Sequence, residues 1–363
     1  MFHPERLSLA RRRRGLTKKA LAERLGVTPH TVLRYEQSKV EPPPHMIDAI
    51  ARELKFPSAF FSGPDFDEPQ AAAASFRSMS AMSARERGAA LAAGALAFML
   101  SDWVEDRFAL PEGDLLDLSM ETPEGAARSL REKWGLGERP IKSLIKLIES
   151  KGVRVFSLAE NTKTVDAFSL WRKNKPYIFL NTFKTWEHSR FDAAHELAHL
   201  VLHKHGGANG RRDVEDEAQR FASSFLMPSA DVEAQLPRIH TLNQMVQFKQ
   251  RWGVSVAALN YRLHKLNITS DWQYRTFCIQ ITEKGYREDE PVPMPREKST
   301  VWQKVFDALW QERVTKQSIA EALNLPVQEI ENLVFGLANM LTVDGSGGGG
   351  QKRANLKLVH GGL

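Results

Sequence analysis

Two histidines four residues apart, His195 and His199, enclose Glu196 in the run FDAAHELAHLVLH. On an α-helix that spacing puts both imidazoles on one face, where they can reach a single ion. Glu196 sits beside them, placed to take a proton from a water on that ion, since zinc lowers the pKa of such a water to about 7. Phe191, Leu197, Leu200 and Val201 give the helix an amphipathic pattern, and a β-like run that reads as an edge strand comes just before it.

A catalytic zinc takes three protein ligands and keeps one position open. His203 follows on the same helix, but it stands roughly 6 Å beyond His199 along the axis, in an outer shell or at the surface. No glycine and third histidine follow at the spacing of the metzincins. The next helical run, VEDEAQRFASSFLMP, has Ala218, Phe221, Ala222 and Phe225 as its packing face. Glu215 lies on the side that looks at the metal helix, while Glu217 is rotated away by about 200°. The expected site is therefore Glu196 as the proton-transferring residue, with His195, His199 and Glu215 as zinc ligands. Satisfied core histidines are the plain alternative, disfavoured by the intervening glutamate and by the second-helix motif.

The first 64 residues carry 12 Lys/Arg against 6 Asp/Glu, whereas the other 299 carry 38 of each, so the whole net charge of +6 sits at the N-terminus. Such a local excess favours polyanions through phosphate contacts and counterion release, although a solvated basic face gives the same count. The string GLTKKALAERLGVTPHTVLRYEQSKVEPPP has the spacing of two helices around a tight turn at Gly26 and Val27. Thr17 and Thr28 are placed as N-caps, and Pro29 as a first-turn proline. Thr28, Pro29, His30, Thr31 and Arg34 are expected to face double-stranded DNA, with Arg34 able to fork onto guanine. Lys18 is placed for a backbone phosphate, and residues 11–14, all arginine, could add further phosphate contacts.

These residues carry two resemblances. LAERLGV, the threonine after it, RYE and the proline-ended loop resemble the XRE (lambda-repressor-like) helix-turn-helix family over about residues 4–60; a helical docking module of similar shape is the alternative. HELAHLVLH followed by ExxAxxFAxxFLMP resembles the ImmA/IrrE family of zinc metallopeptidases over about residues 120–290. Gln219 departs from that family, where relatives often have Asn, Asp or Glu, without touching the ligands. The linker SFRSMS and the long helix after it also look like fused proteins of the two families. The resemblance implies a regulator that cleaves a repressor-type protein, or one whose zinc domain senses a ligand or partner without cutting. It also implies that the helix pair at 242–266, despite Arg262, His264 and Lys265, is structural. A substrate strand could add to residues 177–181.

The expected architecture is α+β and mostly helical. Residues 1–64 form a four- or five-helix head, 65–120 a linker and long helix, and 121–290 a zincin-like domain with a short antiparallel sheet. Residues 291–344 form further helices and 345–363 a flexible tail. Glu329 and Glu331 on the presumed reading helix of the C-terminal pair disfavour DNA there. The apolar run at 89–100 is too short to span a bilayer and reads as a buried helix, so no membrane contact is expected. The single cysteine, Cys278, fits a cytoplasmic protein. A homodimer is left open, since no dimer seam is visible.

Overall fold

Short helices punctuated by caps build the N-terminal head. In a computed structural model, residues 2–70, 82–158, 167–204, 212–236 and 238–338 are described. The linker residues 71–81, the start of the second β-like run at Val165, and the tail from 339 onward lie outside them. The head comprises α1 (Pro4–Arg13), α2 (Lys18–Leu25), α3 (Pro29–Glu36) and α4 (Pro44–Leu54), closed by a 3-10 turn, Ser58–Ser62. Thr17 Oγ1 accepts from the Ala20 amide at 3.0 Å and Thr28 Oγ1 from the Thr31 amide at 3.2 Å, so both expected caps form. Gly26 ends α2 at φ 66°, a left-handed position that a Cβ would strain.

A capping box between Ser83 and Glu86 starts α5 (Ala84–Glu105). This is the one helix among the described residues long and apolar enough to cross a membrane, but 78% of its apolar window is buried inside the protein. It is the core helix that the run at 89–100 announced, grown to 22 residues. Next come α6 (Pro123–Lys133), α7 (Leu144–Ser150), β1 (Arg154–Leu158), β2 (Ala167–Arg172) and β3 (Lys175–Asn181). The metal motif lies on α8 (Trp186–Leu202), followed by α9 (Arg212–Leu226) and α10 (Ser229–Gln235). Three helices, α11 (Leu242–Trp252), α12 (Val256–Lys265) and α13 (Asp271–Glu283), precede the last three: α14 (Thr300–Gln311), α15 (Lys316–Leu323) and α16 (Val327–Val334).

The sheet is mixed, not wholly antiparallel as expected. Its order is β1-β3-β2, with β1 parallel and β2 antiparallel to β3. Lys173 and Asn174, at φ 48° and 61°, make the tight hairpin that places β2 beside β3. The opposite side of β3 then takes β1, whose connection through β2 serves as the crossover a parallel pair needs. Strand addition at residues 177–181 is therefore excluded: β3 is central and its ladder is used on both sides. Among the described residues, the sheet's edge strands are β1 and β2.

Strand alternation divides the molecule into two cores. Tyr177 and Phe179 join Phe156 and Phe168 in a set of stacked rings facing α5, the head and α14–α16. Ile178 and Leu180 face the other way, into the core formed with α6–α9 and α11–α13. The C-terminal helices thus share a core with the N-terminal head.

Glu149, at the end of α7, crosses to cap α14. It accepts from Ser299 Oγ and from the Thr300 and Val301 amides at 2.9 and 3.2 Å. Burial pushes its carboxyl up to about 7, outweighing the pull of these three donors. With the folded pKa raised, its contribution to stability is complete below the ordinary value of 4.5 and is lost as pH rises through about 7. Relative to Glu149→Gln, the native chain should therefore lose ground between about pH 5 and 8. Urea midpoints of both proteins across that range measure it; a difference that stays flat would show the carboxyl ionising freely.

Candidate metal centre and nucleic-acid interface

Almost every residue of α8 is buried. The amphipathic pattern predicted one exposed face, but the helix lies between the sheet, α7, α6 and α9, which cover it on all sides. The polar residues facing inward must therefore find partners within the protein. His195 and His199 stand on one face, 1% and 4% exposed, with their Nε2 atoms 3.1 Å apart. The first turn of α9, which packs along α8, brings in Glu215. Its Oε2 lies 3.1 Å from His195 Nε2 and its Oε1 3.7 Å from His199 Nε2. One ligand atom from each of the three residues falls within 4.8 Å of the others.

The donor set and its spacing fit a divalent ion. Ligands held 2.0–2.1 Å from a tetrahedral centre stand about 3.3 Å apart, close to the three separations found here. Glu215 Oε1 is buried and accepts no hydrogen bond among the described residues, a costly state for a carboxylate oxygen unless a cation meets it.

Three neighbours complete the arrangement. Ser169, on β2, donates its hydroxyl to Glu196 Oε2 at 2.7 Å and lies 3.1 Å from the Glu196 carbonyl oxygen. Glu217 does face away from the trio, but it meets His203 Nε2 at 2.9 Å. His203 Nδ1 in turn lies 3.0 Å from His199 Nδ1. The chain Glu217–His203–His199 holds the ring so that Nε2 faces the trio, as outer partners of metal-binding histidines do. Reading the sequence missed Ser169 and the pairing of Glu217 with His203. The second has a signal, since His199 and His203 are again four apart; Ser169 has none, because its role depends on which strand lies beside α8.

The helix-turn-helix presents Thr28, Pro29, His30 and Arg34 at the surface, with Thr31 half-buried. Thr28 and Thr31 hydroxyls lie 2.9 Å apart, so the cap engages both. Lys18 Nζ stands 3.5 Å from Glu36, which also holds Arg11 through both carboxylate oxygens. The arginine run departs from the phosphate contacts suggested for it: Arg12 pairs with Glu68, and Arg13 and Arg14 both pair with Glu329 on α16. Carboxylates of the chain itself, the buried Glu329 among them, reach these guanidiniums first, because α1 packs inward against α5.

Residues 148–264 match the Peptidase M78 family model, the IrrE N-terminal-like domain. Residues 5–59 match the model of a helix-turn-helix domain. The two matches fall on the two parts of the fusion that the sequence resembles, and the first contains Ser169, the trio, Glu196, His203 and Glu217. No curated protein matches the chain. A DNA-binding head thus precedes a domain with a metallopeptidase-like fold.

Proposed function

We propose that this chain is a DNA-binding transcriptional regulator with zinc-dependent endopeptidase activity, cutting a repressor-type protein to relieve repression. The observation that carries this reading is the trio of His195, His199 and Glu215 with Glu196 beside it on the same helix. A zinc ion held there would supply Lewis acidity, polarising a scissile carbonyl and acidifying water. Glu196 takes the proton from the attacking water and passes it to the leaving amine. Ser169 holds the Glu196 carboxylate in place through Oε2. His203 and Glu217 keep His199 in one orientation. An extended substrate adds to the outer edge of β2, which has no strand partner on that side among the described residues and packs against α8. A second reading, a zinc domain that senses without cutting, draws on the near-complete burial of His195 and Glu196.

Metal analysis tests the centre. The purified full chain should hold about one zinc, and His199→Ala should hold almost none. Full-length protein without metal, reconstituted or not, would leave only the DNA-binding regulator.

Binding to DNA is expected through α3. Arg34→Ala should weaken specific binding about tenfold or more, whereas Arg12→Ala should leave the salt dependence unchanged because Arg12 is already paired. Fluorescence anisotropy over a salt series separates the two; a shallower slope for Arg12→Ala would return the arginine run to the interface.

A further inference from the structure

A cavity of about 830 Å³ opens between α6, α9 and the end of α12. Asp216, Arg220 and Ser224 line it from α9, on a stripe turned by about 140° from Glu215. Two guanidiniums form its deep wall. Arg131, 4% exposed, donates among the described residues only to the carbonyls of Gly137, Arg139 and Phe225. Arg262, 6% exposed, donates Nε to Met227 O and Nη1 to Ser224 Oγ, each at 2.9 Å. Among the described residues its Nη2 has no hydrogen-bond partner, and neither arginine forms an ion pair. Neighbouring Arg220, by contrast, is closed off by a two-pronged bond to Glu124.

Neutral acceptors satisfy N–H groups without cancelling a buried charge, which stays costly until an anion meets it. Consistent with this, burial pulls both arginines below their ordinary pKa, against the weaker upward pull of more distant carboxylates. The carboxylates lining the cavity besides Glu124 are Glu132, Glu138 and Asp216, all at the exposed rim; exposed Arg128 and Lys265 stand there too. The volume is that of small-molecule sites. We propose that this cavity binds the oxyanion head of a small metabolite, a phosphate or a carboxylate, forked by Arg262 and covered by Arg128 and Lys265. The rim carboxylates then meet hydroxyl or amine donors on its body. Because α9 also carries Glu215, the ligand biases the geometry of the metal trio; this coupling rests on the zinc reading above, whereas the binding does not.

Titration calorimetry on the full chain, with inorganic phosphate and with succinate as probes, tests the site. At least one should bind saturably, and which of them does so assigns the head group. Arg128→Ala combined with Lys265→Ala, two exposed positions that leave folding intact, should weaken binding about tenfold or more. Arg262→Lys, keeping the charge and losing the fork, should do the same. No saturable heat with either probe, or unchanged affinity in the exposed double variant, overturns the proposal. Repeating the titration after chelation separates the two readings: binding that survives in metal-free protein supports the cavity, while zinc affinity indifferent to the anion removes the coupling. Protein that never holds zinc sinks the metallopeptidase and leaves anion binding measurable.

Discussion

Glu196→Gln should keep its zinc and lose about three orders of magnitude in cleavage rate, within the range measured for removing a general acid–base group. The substitution changes almost no volume at a site that is 1% exposed. The amide oxygen can still accept from Ser169, now 2.7 Å from the carboxylate, so the side chain has no reason to move. What disappears is the capacity to take up and return a proton. A merely positional role for Glu196 predicts a far smaller loss. Ser169→Ala gives the graded comparison: the carboxylate remains but is held less firmly, so kcat should fall about tenfold with KM little changed. The inactive Glu196→Gln chain should also retain its protein substrate, and co-purification with subsequent cleavage by native enzyme identifies it. If regulation in cells persists undiminished in this variant, the zinc domain works as a sensor, and peptidase activity is not how the protein acts.

The parts of the molecule legible from sequence are those written within one or two turns of chain. The grouping of His195, His199 and Glu215 needs only helix periodicity and the packing face of α9. The caps at Thr17 and Thr28 need only a polar side chain before a helical run. The long helix after Ser83 announces itself by its apolar run at 89–100. What failed depends on partners distant in sequence. Residues 177–181 read as an edge strand because alternation reports which face is buried, not which neighbours complete the ladder. The arginine run reads as phosphate-binding because charge counts do not show that Glu329, more than 300 residues away, arrives first. Buried on every side, α8 keeps an amphipathic pattern because its buried polar residues find partners on other elements: His195 with Glu215, Glu187 with Lys249 and Arg190 with Glu297. Ser169 could not be found, since the strand order that brings β2 against α8 is set by both cores together.

The clamp formed by Glu329 has the largest expected effect on stability. Its side chain, 1% exposed, receives Arg13 Nε at 2.7 Å and also pairs with Arg14 at the seam between α1 and α16. Removing one partner from such a buried cluster costs far more than the cluster itself contributes, because the remaining charges stay desolvated. Glu329→Ala should therefore lower the unfolding free energy by about 3–5 kcal/mol, seen as a lower urea midpoint. Burial alone would raise the Glu329 pKa, but Arg13 and Arg14 outweigh it and hold the carboxyl below its ordinary range. A depressed folded pKa gives stability that is complete above the unfolded value of 4.5 and lost as pH falls through the folded one. The gap between native chain and variant should accordingly be full near neutrality and close only in strong acid, opposite in sign to the effect at Glu149. Replacing the buried pair with apolar residues, Arg13→Met with Glu329→Leu, should recover much of the loss, since Arg14, 26% exposed, keeps the Leu54 and Lys55 carbonyls. A Glu329→Ala chain as stable as the native one at neutral pH would mean that α16 does not hold the DNA-binding head.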